Sequence, residues 1–299
     1  MKVHSRNIVF PLLLNFCTMK ISIIGLGLIG GSYALSLKKR FEDIEIYGWD
    51  ENQKHLNRAL ELGLIDKACD STSDALQKGE WIFLAVPVNT IEILLPNLLD
   101  QLGENNVLID FGSTKKLICG GVKDHPKRSQ FIAAHPISGT EYSGPEAAFD
   151  SLFEDKVMIV CEQEKSEQTA VADFRKQCKA LGMSTTYLTA DEHDVHLAYV
   201  SHLSHVISFG LSRTVLDKEE DENKILDLAG SGFESTVRLA KSSPEMWTPI
   251  FLKNREAILE SLDKYQSRIA EFRDLLANED EDGIQQYLQE GRAIRKILA

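Results

Sequence analysis

A chain of 299 residues is longer than one ordinary hydrophobic core organises, so two domains are the default. A formal charge of −12 excludes a nucleic-acid surface, which needs clustered Lys and Arg against phosphates; no apolar run reaches the roughly 18–20 residues that span a bilayer. The five cysteines, Cys17, Cys69, Cys119, Cys161 and Cys178, are widely spaced without a Cys-X-X-Cys pair, which points to reduced thiols in a cytoplasmic protein.

In chain order, Lys2 and Arg6 precede a short apolar run at 9–14 that resembles a signal-peptide core. No small-residue cleavage site follows it, so Met19 is the expected start and residues 1–18 an extension rather than an address. An apolar strand over 20–24 then runs into Gly25-Leu26-Gly27-Leu28-Ile29-Gly30 and an Ala/Leu-rich helical pattern. This is the spacing of a dinucleotide turn. Gly25 allows the tight strand-to-helix turn, Gly27 lets the main chain approach a pyrophosphate, and Gly30 lets the helix pack on the strand. The helix N-terminal amides then face the phosphates. A second strand, 45–49, ends in Asp50, 20 residues after Gly30, where a carboxylate grips the ribose hydroxyls.

Helical spacing follows at 52–62, and a fully apolar strand at 81–87 ends in Val86-Pro87, as a strand buried on both faces does. A helix is expected from 88 to about 102, then strands at 107–110, 131–134 and 157–161, a helix near 167–181 and a short strand at 185–188. This alternation means a mostly parallel sheet covered on both faces, an α/β fold of the Rossmann-like, doubly wound kind. From residue 191 onward no strand is expected. Helical stretches run over 191–216, 222–228, 246–274 and 282–297, with a glycine- and serine-rich loop at 230–243 free to reach a ligand. The segment 195–216 is apolar on several faces, and a bundle that cannot cover itself dimerises. The expected domains are therefore 19–189 for the dinucleotide and 190–299, all-helical, for substrate binding and dimerisation.

In an open α/β sheet, ligands sit beyond the carboxyl ends of the strands. Polar segments stand there after the third, fourth and fifth strands: 87–89, 110–115 and 135–141. His135 is expected beside the nicotinamide, where a neutral imidazole can take a proton from an alcohol as hydride leaves its carbon. Ser113 can bond the same hydroxyl, although a serine ahead of Lys115-Lys116 also suits a helix cap. His202 and His205 stand three apart on one helix face, as do His193 and His196, but the pairs lie too far apart along the helix to favour zinc, and no metal is expected. Arg238 is the cation suited to a carboxylate, since a guanidinium offers a rigid two-pronged donor.

Taken together, GLGLIGGS, Val86-Pro87, DFGSTK at 110–115, HPISGTE at 135–141, SHLSH at 201–205 and AGSGFESTVRLA at 229–240 resemble the prephenate and arogenate dehydrogenases of tyrosine biosynthesis. The likeness runs from about Met19 into the C-terminal helices. It implies oxidative decarboxylation of prephenate to 4-hydroxyphenylpyruvate with NAD, in a dimer joined through its helical domains. By motif, the catalytic histidine falls on His135, the serine that shares the substrate hydroxyl on Ser113, and substrate-binding positions on His205, Arg238 and His202. Trp247 matches an aromatic near the site, and Gly25, Leu26, Gly27, Leu28, Ile29, Gly30, Asp50, Val86 and Pro87 the cofactor site. Many relatives have aspartate three residues before the loop arginine, where this chain has Ser235. The segment before Met19 does not resemble a fused chorismate mutase, and no C-terminal regulatory domain is expected. Asp50-Glu51 repels a 2′-phosphate, favouring NAD over NADP. A 3-hydroxyacid dehydrogenase is the nearest enzymatic rival, but it uses a lysine in the first long helix of its second domain, and none stands here before Lys218. A silent NAD sensor is the non-enzymatic alternative.

Overall fold

A computed structural model of the chain describes residues 18–222 and 224–297. Nearly all of the expected 1–18 extension therefore lies outside the described residues, as does Cys17. The described chain forms an eight-stranded sheet built from β1 (Met19–Ile24), β2 (Ile44–Trp49), β3 (Lys67–Ala68), β4 (Trp81–Leu84), β5 (Val107–Asp110), β6 (Phe131–Pro136), β7 (Val157–Cys161) and β8 (Ser184–Leu188). The strand order is β3-β2-β1-β4-β5-β6-β7-β8. All neighbours are parallel except β6 and β7, which pair antiparallel with His135 opposite Ile159. The sheet is thus mostly parallel, as the alternation implied, with β7 and β8 reversed against the rest.

The strands are apolar because both sheet faces are covered. Ile21, Ile23, Ile82, Phe83, Leu108, Ile109, Phe131 and Ile132 are all fully buried. On one side Tyr33, Phe83, Phe111, Phe153 and Phe174 form an aromatic core with ring centroids 4.7–6.3 Å apart. The buried Tyr33 hydroxyl donates to Gln177 Oε1 at 2.5 Å, satisfying the one polar atom that this ring brings inside.

Helices α1 (Leu28–Arg40), α2 (Gln53–Glu61), α3 (Thr72–Lys78), α4 (Val88–Gln101), α5 (Lys116–Gly121) and α6 (Gln168–Ala180) accompany the sheet. The short α3, which the sequence patterning did not suggest, starts at a Ser71 side-chain cap on Asp74 N–H. Further along come α7 (Ala190–Leu197), α8 (Leu203–Glu222), α9 (Ser231–Val237), α10 (Pro244–Lys253), α11 (Arg255–Ala277) and α12 (Glu281–Arg292).

Four expectations in this second half are corrected. The helix expected over 191–216 is α7 and α8 separated by a π-turn, Ala198–His202. The helix expected over 222–228 shrinks to one 3-10 turn, Leu226–Leu228, because Glu219 Oε2 accepts from the Ile225 and Leu226 amides and replaces helical bonds. The loop expected over 230–243 is mostly helical, α9 followed by the 3-10 turn Arg238–Lys241. Ser208 of α8 anchors it, donating to the Thr236 carbonyl and accepting from Ala240 N–H, and such tertiary bonds outweigh local propensity. The stretch expected over 246–274 breaks at Asn254, which caps α11.

The chain divides into two compact units, the first running to His193 and including Lys241–Lys253, the second holding Asp194–Ala240 and the chain from Asn254 onward. The linear division at 189/190 did not anticipate the return of α10 to the sheet unit. There α10 packs on α4, with Trp247 and Ile250 buried against Val88 and Lys253 bonded to Glu92 at 2.5 Å. In the second unit α11 packs on α12, where the Phe272 and Tyr287 rings lie 5.3 Å apart.

Candidate active site

The glycine turn has the close-packed geometry that its spacing led one to expect. Gly25 takes φ +95° and lies so close to the Ala85 carbonyl and Val86 that an added Cβ would come within 2.5 Å of Ala85 O. Only glycine fits that conformation and that space. Gly30 packs equally closely, its hypothetical Cβ falling 2.0 Å from Gly25 O. Gly27 differs, since nothing lies within 4 Å of its hypothetical Cβ. It stands at the N-terminus of α1 and contributes no side-chain cap, so open space meets the positive end of a helix, as an anionic ligand requires.

Asp50, at the end of β2, accepts from Leu26 N–H through Oδ2 at 2.8 Å and from Asn52 N–H through Oδ1 at 2.9 Å. The carboxylate thereby ties the second strand to the glycine turn. Leu26 is fully buried and Leu28 nearly so, so of the turn residues these two contribute backbone, not side chain. Val86 contacts Gly25, and Pro87 is exposed at the start of α4. These groups fit the nucleotide that the sequence suggested.

The strand register aligns this edge with the rest of the site. Ile24 pairs with Leu84, Leu84 with Asp110, and Asp110 with Ala133, so the chain leaves β1, β4, β5 and β6 on one side. After β5, Asp110 and Lys115 form an ion pair in which both side chains are fully buried, and Gly112 N–H donates to Asp110 Oδ2 at 2.9 Å. Burial pushes the Asp110 carboxyl upward while the Lys115 ammonium opposes it. The pair holds the 111–114 loop, with partly exposed Ser113, against the sheet. Helix α5 is capped by Lys115 without a side-chain bond, so Ser113 is not its N-cap.

His135, near the end of β6, is partly exposed. Its Nδ1 lies 2.9 Å from Nε2 of His193, a residue that the sequence put in a different group. His193 is fully buried on α7. Sequence spacing could not link the two, which are 58 residues apart.

In the second unit, His205 is half-buried and its Nδ1 lies 3.0 Å from the Ser201 carbonyl. Burial lowers its pKa below the usual histidine value, the Ser201 carbonyl opposes this, and the Arg238 charge adds to the lowering. Arg238 is itself exposed, at the end of α9. His202, expected among the substrate-binding residues, is 1% exposed, and Asn254 Nδ2 lies 3.1 Å from its Nδ1 while donating to the Asp194 carbonyl at 2.7 Å. Trp247 is likewise buried, against Val88. Among the described residues no cluster of three His, Cys, Asp or Glu is arranged to hold a metal, and no helix is long and apolar enough to cross a membrane.

Comparison with known proteins adds independent findings. A family model described as the nucleotide-binding domain of prephenate dehydrogenase matches residues 33–186, and one described as its dimerization domain matches 189–290. A cyclohexadienyl dehydrogenase of Zymomonas mobilis is 30% identical over 93% of this chain and 95% of its own length. A prephenate dehydrogenase of Bacillus subtilis is 31% identical over 93% of this chain and 76% of its own. The crystal structure of prephenate dehydrogenase from A. aeolicus, in complex with hydroxyphenyl propionate and NAD+, superposes with a TM-score of 0.86 at 30% identity, covering 94% of this chain and 98% of that one.

Proposed function

This chain belongs to the prephenate dehydrogenase family, and from that premise we propose that it carries out the NAD-dependent oxidative decarboxylation of prephenate to 4-hydroxyphenylpyruvate. One observation carries the reading. A glycine turn suited to a pyrophosphate, a carboxylate bonded to that turn and a histidine near the end of β6 stand on one edge of a single sheet. NAD, when bound, accepts the hydride that leaves the ring carbon bearing the hydroxyl. His135 takes the hydroxyl proton, and loss of carbon dioxide restores aromaticity. Because aromatisation supplies most of the driving force, the protein chiefly needs orientation and one base.

Ser113 shares the substrate hydroxyl in this scheme. His205 and Arg238 bind the substrate, with the guanidinium against a carboxylate. A neutral His205 that donates Nδ1–H to the Ser201 carbonyl offers no positive charge, so Arg238 supplies the charge complement to an anion. His202 and Trp247 act through the residues they pack against, in keeping with their burial. The matched dimerization model and the exposed leucines of the C-terminal helices support a homodimer joined through the helical domain, and the reduced-thiol reading supports a cytoplasmic setting.

The test is an assay of purified protein with NAD and either prephenate or arogenate, following absorbance of the reduced nicotinamide. Prephenate is expected to give the larger kcat/KM, and NAD a larger value than NADP, because Asp50 and Glu51 repel a 2′-phosphate. His135→Asn keeps NAD affinity and loses about 10²–10⁴-fold in turnover. Absence of turnover in the wild-type protein with both substrates would sink the reading in favour of a silent NAD-binding protein.

A further inference from the structure

The proposed reaction employs one histidine as its base, yet the structure joins that base to a second histidine. His135 Nδ1 and His193 Nε2 are 2.9 Å apart, and the rings meet through these nitrogens at an interplanar angle of 57° rather than stacking. Both partners are held firmly. Neighbours on both sides pin β6, which pairs with β5 and β7. Helix α7 starts in a reciprocal cap, Glu192 N–H donating to Thr189 Oγ1 at 3.1 Å while Thr189 N–H donates to Glu192 Oε2 at 2.8 Å. That cap fixes the first turn of the helix, and with it His193. Lys116 of α5 adds an ion pair to Asp191 in the same turn at 3.1 Å.

A neutral imidazole carries one N–H, and the bond made by one nitrogen decides the state of the other. Two arrangements of the pair are possible. If His193 donates, His135 Nδ1 is the acceptor and its hydrogen sits on Nε2, where no proton can be taken up. If His135 donates, its Nε2 holds the lone pair and can accept the substrate hydroxyl proton. The imidazolium so formed keeps Nδ1–H directed at His193, now as a charge-assisted bond. His193, with no exposed surface, serves as partner, while the partly exposed His135 meets substrate.

We propose that His193 is a positioning residue whose Nε2 accepts the Nδ1–H of His135 and so holds the catalytic base in its reactive tautomer. This rests on the reading of His135 as the base, and two readouts separate them. The first is nitrogen-15 NMR of the His135 ring in the protein alone, without substrate or cofactor. Wild type and His193→Gln, whose amide oxygen stands near the former Nε2 position, are expected to show the Nδ1–H tautomer; His193→Leu is expected to show Nε2–H, the form neutral imidazole prefers in water. The second is kinetics with prephenate and NAD. His193→Leu should lower kcat roughly 10- to 100-fold with KM and NAD affinity unchanged, and His193→Gln should recover most of the loss. If the leucine variant does not fold, His193→Asn, whose shorter amide cannot reach, replaces it. The same His135 tautomer in every variant, or equal kcat losses with leucine and glutamine, would overturn the proposal. Full turnover by His135→Asn with the tautomer pattern intact would instead overturn the role of His135 and leave the hydrogen-bond assignment standing.

Discussion

A methyl group added at Gly30 would stand 2.0 Å from the Gly25 carbonyl oxygen, whereas one added at Gly27 meets no protein atom within 4 Å. The two glycines were legible in the sequence with separate duties, and the geometry agrees with that division: Gly30 is closed in by backbone and Gly27 faces open space. Gly30→Ala is expected to lose stability and NAD affinity together, because backbone must move. Gly27→Ala should stay within about 1 kcal/mol of wild-type stability and still weaken NAD binding by about tenfold or more, since the methyl occupies the path of the pyrophosphate. Urea unfolding and calorimetric titration with NAD distinguish the two. His205 gives a pH prediction at the same scale. Its folded pKa lies below the usual value, chiefly through burial, so the unfolded chain binds its proton first as pH falls. The stability linked to His205 is complete above about pH 6.5 and declines as pH falls through and below that value. Urea midpoints measured on either side of pH 6.5 should show the decline, and His205→Gln should reduce it.

At the scale of elements, the loop after β5 depends on the buried pair of Asp110 and Lys115. Removing one partner of such a pair leaves a charge without compensation, so Lys115→Met is expected to cost about 3–5 kcal/mol at neutral pH. Burial already raises the Asp110 pKa. In the variant, the folded state therefore takes up a proton at a pH where the unfolded state does not, and the loss shrinks on acidification. Denaturant unfolding at pH 7 and at about pH 5 checks both size and sign. The elements themselves were legible where the pattern is local. The strands β5 and β7 match their expected bounds to the residue, because a strand buried on both faces reads as a nearly continuous apolar run, broken in β5 only by its last residue, Asp110. The helical half was less legible. Glycine and serine at 230–243 favour a loop by propensity, and the anchor at Ser208 lies 28 and 32 residues from the groups it bonds. The π-turn before α8 also depends on distant groups, with Asn254 bonded across to Asp194 and His202.

For the whole molecule, the match to a dimerization domain converts exposed apolar side chains into a prediction. Ile269 and Leu276 stand seven residues apart on α11, hence on one face, and are 47% and 60% exposed. Sedimentation is expected to give the mass of a dimer, and Ile269→Glu with Leu276→Glu to shift it toward a monomer; an unchanged dimer would exclude this face as the contact. By itself the sequence determined the nucleotide turn, the two-faced sheet, the helical second half and the histidine after the fifth apolar strand. Each of these is written in a short window, as a backbone requirement for glycine, a period of apolar residues or a motif of adjacent residues. Only the tertiary structure decided that Asp50 is tied to the turn, that α10 joins the sheet unit, that His202 is buried against Asn254, and that His193 stands on His135. Those relations join residues far apart in the chain, and packing, not local spacing, selects which of many distant partners a side chain meets.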